Sequence, residues 1–463
     1  MAYSRYANPF FIFSVLALAN AFVGCKHDET GIAAPPDAAY YAGGATTVFD
    51  ETSSAFEFPC SNLWAAVEAH AAGDRIFEAT FVTAPAPINA GLGPAFNQSS
   101  CASCHGRNGR AGQPTNSEDL GGLLFRLSAN EAGAHGAQMP LMGFGHQLQT
   151  SATVGKQPEG KVSVSYTAQL KTFLDGQAYT LNQPQYVFVN PYITMSTGFL
   201  YSPRIAPPVF GLGLLEGIPE ADIRAHEDPY DANGDGISGR ANTVWNEVTQ
   251  RNELGRFGWK ASVATLYQQV AAAFQGDMGL TTTVFPQEEF AGQPQDDGLS
   301  DDPEVSNDLL QSATFYVQSL AVPAARHLEN EDVQAGKILF AKAQCGSCHI
   351  PQAKTGYNTA LPFLSYQTFF PYTDLLLHDL GEALADHRPD FAATGVEWRT
   401  PPLWGIGLTQ RTNGHTNFLH DGRANSILEA IMWHGGEAQH AQQTVASYSA
   451  KERAQLVKFL EAL

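Results

Sequence analysis

Apolar residues return at helical spacing in several separated stretches of the chain, and these predict its longer helices. "SNDLLQSATFYVQSLAV" (306–322) reads as one of them. The C-terminal stretch opens with Ser449 and Glu452 at capping-box spacing and puts Leu456, Val457, Leu460 and Leu463 on one stripe, as plain core packing requires. A third begins at Ser426, with Glu429 closing a second capping box and Gly435–Gly436 as the stop. Two apolar stripes run along it, one through Ile427, Ile431 and His434, the other through Leu428 and Met432. "KVSVSYTAQL" and "QPQYVFVNPYITM" instead carry the β-branched and aromatic residues of strands. After Arg5, "FFIFSVLALANAFVG" (Phe10 to Gly24) is short for a bilayer span and broken by Asn20, but it fits the apolar core of an export signal.

Parts of this pattern occur twice. "AGDRIF" (72–77) answers "AGKILF" (335–340), each read as the start of a helix. "RIAPPVFGLG" (204–213) answers "RTPPLWGIG" (399–407), and "WKASVATLYQQ" (259–269) answers "HDGRANSILEA" (420–430), each placing a helix after the proline segment. The doubling predicts a mainly α protein of two unequal domains: residues 59–322, with turn-rich and β-containing insertions, and a compact 327–463. Residues 1–24 read as the signal peptide and 25–58, rich in Ala, Gly, Thr and Asp, as a tether.

Composition agrees with more than one core, since 463 residues exceed what a single one supports. A hydrophobic share of 44% with 16% charged residues is globular. Acidic residues outnumber basic ones 46 to 26, for a formal charge of −20, and no Lys/Arg run is present to follow a phosphate backbone. Nucleic acid is excluded as a partner on this ground, whereas a small basic redox protein would be attracted.

Of the six cysteines, four fall into two copies of C-x-x-C-H: Cys101, Cys104, His105 and Cys345, Cys348, His349. The spacing is that of c-type haem attachment, in which two thiols form thioethers with the vinyl groups and the adjacent imidazole reaches the iron. Zinc held by four thiolates would bring the pairs much closer in sequence, and a redox dithiol has no use for the following His in both copies. Two covalent haems c are therefore expected, one in each of two cytochrome c-like domains. After the export signal, "FVGC" resembles the bacterial lipoprotein box with Phe22 in place of the usual Leu. Lipidation would make Cys25 a membrane anchor on the periplasmic side; ordinary cleavage would leave Cys25 free or paired with Cys60.

"GLGPAFNQSSCASCHGRNGRAGQP", "DANGDGISGRAN", "GRFGWKA", "GDMGLT", "YTDLLLHDLGEALAD", "WRTPPLWGIG" and "FLHDGRA" with "WHGGEA" together resemble a family of di-haem oxidoreductases, labelled peroxidases or thiol oxidoreductases, in the bacterial di-haem cytochrome c peroxidase and MauG superfamily. The match runs from about residue 50 to the C-terminus. The thiol label gains nothing here, because the clustered cysteines are all taken up by haem.

The resemblance implies that the haem on His105 meets peroxide, with a Trp between the two haems and a carboxylate as general base. Trp259 stands at the Trp, and Asp277 comes near the acid's place, as Asp rather than Glu and two residues early. Met278 beside it is the alternative, as a ligand filling the iron's open position. For the second haem the proximal ligand is His349, and the family's register from His420 lands on His434, with Met432 two positions earlier. Residues two apart on a helix do not share a face, so only one of them can face the iron. A His/His haem is a weaker oxidant than the His/Met haem usual in the family. Asp231, Asn233 and Asp235 at alternate positions, followed by Gly236, imitate the first half of a calcium-binding EF-hand loop. Its twelfth position is Asn242, where a bidentate Glu would close the site. The remaining histidines, His146, His226, His378 and His415 among them, read as surface or structural.

Three functions follow from this reading. One is a peroxidase that takes electrons from a small redox protein or cytochrome through the second haem and reduces hydrogen peroxide at the first. Another is a MauG-like or oxygenase-like enzyme acting on a different substrate. The third is an electron-transfer cytochrome with both irons six-coordinate.

Overall fold

The computed structural model describes residues 38–114, 120–289, 293–296, 298–299 and 301–463. The export signal, the lipoprotein box and Cys25 lie outside these residues. Among the described residues no helix is long and apolar enough to cross a membrane.

Two helix pairs carry the repeat. The Ser306 hydroxyl accepts from Leu309 N and so caps the helix Asn307–Ser319, which turns Leu310, Ala313, Tyr316 and Val317 inward. It packs on the helix Val67–Phe77, where a Cβ on Gly73 would stand 2.2 Å from the Ser312 carbonyl oxygen. The second pair is Glu331–Lys342 on Ala450–Ala462, the latter opened by the expected capping box of Ser449 and Glu452. Here a Cβ on Gly336 would stand 2.0 Å from the Gln455 carbonyl oxygen. Gly73 and Gly336 occupy the same place in "AGDRIF" and "AGKILF", so the repeated glycine is what lets each pair of helix backbones touch. In both copies the repeated segment forms the later part of its helix rather than the start.

The proline segments repeat the same device. A Cβ on Gly213 would meet the Gln318 carbonyl oxygen at 2.1 Å, and one on Gly407 the Glu461 carbonyl oxygen at 2.0 Å. Each segment thus lies against the end of the longer helix of its own half. The helices that follow are Leu266–Met278 and Ile427–Trp433. The second makes only half of its expected capping box. Ser426 accepts from Glu429 N at 3.0 Å, but the Glu429 carboxylate accepts from Asn425 N at 2.8 Å, one residue before the cap, and from Asn182 N at 2.8 Å.

The fold class differs from the mainly α expectation: helix accounts for 30% and strand for 19%, the latter in several small sheets. The described strands form six antiparallel two-stranded ribbons. The longest is the hairpin Lys161–Thr172 with Ala178–Val189, built from the two β-favouring segments. Its tip reaches the second half of the chain, where Phe173 is buried under the Arg453 guanidinium and Arg453 Nη2 bonds Asp175 at 2.6 Å. The other five ribbons escape a helix-period reading because their strands are only two to six residues long and each pairs with one partner.

Candidate functional site

Local sequence sets the two thiol pairs. Cys101–Cys104 form a single helical turn whose first N–H groups are capped by Ser100, which accepts from Ser103 N at 3.1 Å. Cys345–Ser347 form a 3-10 turn that ends at Cys348. Burial pushes the thiols of Cys101 and Cys345 up to about 12 and raises that of Cys348. As neutral thiols, Cys101 and Cys345 suit thioether formation with a haem's vinyl groups.

The histidine after each pair is anchored by a backbone carbonyl. His105 donates from Nδ1 to Pro207 O at 2.7 Å, and His349 donates from Nδ1 to Tyr372 O at 3.0 Å. Burial holds both rings down to about 4, so both are neutral at physiological pH. With Nδ1–H committed to the carbonyl, the lone pair of each ring is on Nε2, the tautomer an iron ligand needs. His434 has the same arrangement: its Nδ1 donates to Ala430 O at 2.7 Å, and burial again lowers its basicity. It is the first residue past the helix Ile427–Trp433, in extended backbone, so the helix expected to reach Gly435 stops before it. His434 lies near enough to His349 to depress that ring's basicity further, whereas Met432 is buried in the apolar core of the second half. The donor set therefore fits iron porphyrins: a pair of thiols and one oriented imidazole in each copy, with a second imidazole, His434, near His349.

Trp259 is buried, and its Nε1 donates to Ile205 O at 2.8 Å. The Arg110 guanidinium lies 5.5 Å from its ring and 5.5 Å from that of Phe418, linking the two halves. Asp277 is half-buried at the end of the helix Leu266–Met278, with Oδ1 accepting from Gln147 Nε2 at 2.8 Å. Its backbone carbonyl accepts from Asn97 N and Gln98 N at 2.9 and 3.1 Å, tying it to the residues just before Cys101. Burial raises the Asp277 carboxyl, and its charge in turn raises Cys101. Met278 packs with Phe81, Leu92 and Phe274 in the cluster against which Cys101 also rests.

Asp231, Asn233 and Asp235 are spent on their own loop: Asp231 Oδ1 accepts from Gly236 N, Asn233 Oδ1 from Asp235 N and Asp235 Oδ1 from Ile237 N, at 2.9–3.1 Å. Asn242 turns into the core, where Nδ2 donates to Lys260 O at 2.8 Å and to Asp390 O at 3.0 Å. It does not close the loop.

Sequence reasoning missed two groups. Gln147, Arg126 and Glu289 gather around Asp277 from separate loops and strands, and no local pattern announces them. His378, read as surface or structural, is buried between two carboxylates, with Nε2 2.8 Å from Asp374 and Nδ1 2.8 Å from Glu437. Cys348 Sγ is 3.6 Å away. Carboxylates only accept, so both ring nitrogens carry protons and His378 is a cation. Its pairing with Asp374 at i,i+4 in "YTDLLLHDLGEALAD" was the one signal available.

Neutral paired thiols, each followed by a carbonyl-anchored imidazole, make the binding site of a haem redox protein. The comparison with known families is more specific: residues 37–463 match "Di-haem oxidoreductase, putative peroxidase", and the chain belongs to that family. No curated protein and no solved structure matches the chain.

Proposed function

We propose that this di-haem oxidoreductase is an exported c-type cytochrome enzyme that reduces hydrogen peroxide at the first haem, with electrons entering through the second. Cys101 and Cys104 hold the first haem and His105 its iron; Cys345 and Cys348 hold the second, with His349 and His434 on its iron. When bound, the haems supply one-electron redox chemistry and the iron position that accepts a peroxide oxygen. The observation that carries the reading is the common anchoring of His105, His349 and His434, each through Nδ1 to a backbone carbonyl.

The overall reaction is H2O2 + 2H⁺ + 2e⁻ → 2H2O. Asp277 takes the first peroxide proton on Oδ2, the oxygen that Gln147 leaves free, and returns it to the departing oxygen. Burial suits it to that task by raising its carboxyl toward the working pH. Trp259, fixed by Ile205 O, lies on the electron route between the haems. The apolar segment Phe10–Gly24 supports export to the periplasm, with Cys25 as lipid anchor if the box is processed. Calcium at Asp231, Asn233 and Asp235 belongs to the same proposal, as a site that Asn242 leaves open.

A second reading, electron transfer alone, is favoured by Met278 lying in the cluster that holds Cys101, since a thioether on the first iron would fill its open position. EPR of the ferric and half-reduced protein, with and without peroxide, separates the two. A high-spin first haem that responds to peroxide is expected. Two six-coordinate low-spin haems and no turnover above free haem would leave electron transfer in its place. In the same spectra His434→Gly should turn one low-spin haem high-spin while Met432→Leu changes little; the opposite pattern moves the ligand role to Met432.

A further inference from the structure

One face of the ribbon Leu123–Ser128 with Leu200–Ile205 is apolar and buries Leu123, Phe125, Leu127 and Ile205. Its register sets Arg126 opposite Ser202 and Arg204 opposite Leu124, so the two guanidinium groups share the other face. Arg388 meets them from the second half of the chain. Arg204 Nη2 and Arg388 Nη1 lie 2.8 and 3.4 Å from the same oxygen, Asp390 Oδ2. Asp386 is already taken by Lys260 at 2.7 Å. Arg388 is 2% exposed, yet its Nε has no hydrogen-bond partner and its Nη1 only the long ion-pair contact to Asp390, while Arg126 Nε and the buried Ser128 Oγ have no hydrogen-bond partner either. Three guanidinium groups share Asp390 as their paired carboxylate, with Glu289 and Asp277 acting on Arg126 from further off, and the donor atoms left without a partner are costly in a low-dielectric interior unless an anion completes them.

We infer that Arg126, Arg204 and Arg388 form an anion pocket that takes the carboxylates of the haem attached at Cys101 and Cys104. The inference rests on the reading that this motif holds a haem. Its placement supports the assignment. The four residues from Arg204 to Pro207 include both Ile205, which anchors Trp259, and Pro207, which anchors His105. The strand bearing Arg126 leads away from Gly121, whose carbonyl is 3.8 Å from Cys104 Sγ. At about 3.3 Å per residue, Gly122 to Arg126 covers about 13 Å. A porphyrin's thioether edge and carboxylate edge lie on opposite sides of the ring, and the strand leads from one toward the other. Guanidinium forks match carboxylates in geometry as well as charge.

The shared ligand chemistry is a carboxylate, from the haem itself or from a free small acid. The test is spectroelectrochemical titration of the two-haem protein, comparing wild type with Arg388→Gln, Arg126→Gln and the charge-keeping Arg388→Lys. Loss of a buried cation favours the ferric state. The Gln variants should lower the midpoint of the first haem alone, a tenfold change in its oxidation equilibrium being about 59 mV for one electron. Arg388→Lys should keep most of the wild-type value. Acetate added to the wild type at constant ionic strength should change nothing; an acetate-dependent midpoint would give the pocket to a free acid and overturn the assignment. Unchanged midpoints in both Gln variants with full haem content, or a shift confined to the second haem, would overturn it as well. Absence of covalent haem at Cys101 and Cys104 by pyridine haemochrome sinks the functional reading instead, so the two failures are distinguishable.

Discussion

Asp277 and Asp421 are aspartates enclosed by the fold, one half-buried in the first half of the chain and the other fully buried in the second, and their surroundings push them in opposite directions. Around Asp421, Arg423 supplies Nε at 2.9 Å and Nη2 at 2.8 Å and Tyr186 a hydroxyl at 2.8 Å, and the carboxyl is held down at about 2 although burial alone would raise it. Around Asp277 the direct partner is the neutral Gln147 amide, with Arg126 acting only at a distance, so burial wins and the carboxyl is raised. The same residue type is thus held ionised in one half and pushed toward its protonated form in the other. The histidines differ in parallel, since His349 faces a second imidazole, His434, and His105 faces none among the described residues.

The comparison breaks most completely at the thiols. Cys345→Ala with Cys348→Ala should leave one covalent haem of two by pyridine haemochrome, and the survivor should be the one that responds to peroxide. Loss of the peroxide response with the second haem absent but the protein pre-reduced would erase the division between the halves.

Next in size is Asp277→Asn, which keeps shape but removes the base, and should lower peroxide turnover by about 10²–10⁴. The sign on stability is opposite. A carboxyl raised in the folded state costs stability once pH exceeds its unfolded value, so Asp277→Asn should melt no lower than wild type at neutral pH. Trp259→Ala should slow electron transfer between the haems and leave peroxide binding intact. A stability loss with unchanged turnover in Asp277→Asn would make Asp277 a structural residue.

Asp421 sharpens the other side. Its folded value is depressed from 3.8 to about 2, so its contribution is present above 3.8 and lost as pH falls toward 2. The shift corresponds to about 2 kcal/mol. Acid unfolding of Asp421→Asn should lack that part of the slope between pH 4 and 2 seen in wild type. Gly336→Ala brings a Cβ against the Gln455 carbonyl and should cost about 1–3 kcal/mol in thermal unfolding, with Gly73→Ala costing a similar amount. A large difference between the two would show that the repeated helix pairs are not equivalent.

Much of the skeleton was legible because it depends on neighbours in sequence. The helix from Ser306, the capping box at Ser449 and the hairpin strands follow from local pattern, and the paired glycines could be aligned before their purpose was known. The early end of the helix at Trp433 was not legible, because Glu429 gives one oxygen to Asn182 of a distant hairpin and His434 turns back onto Ala430. Nor was the full share of strand, since apart from that hairpin each ribbon is too short to outweigh the helical periodicity around it.

By itself the sequence determined the chemistry that sits within a few residues: two thiol pairs with their histidines, the caps, and the repeat that places them. Covalent attachment and helix capping are short-range, so spacing along the chain is enough to specify them. Only the tertiary structure decided which way each buried charge leans. Asp277 with Gln147, Asp421 with Arg423, His378 between Asp374 and Glu437, and three arginines around Asp390 are settled by desolvation and by partners from remote segments, and neither quantity is written in local order.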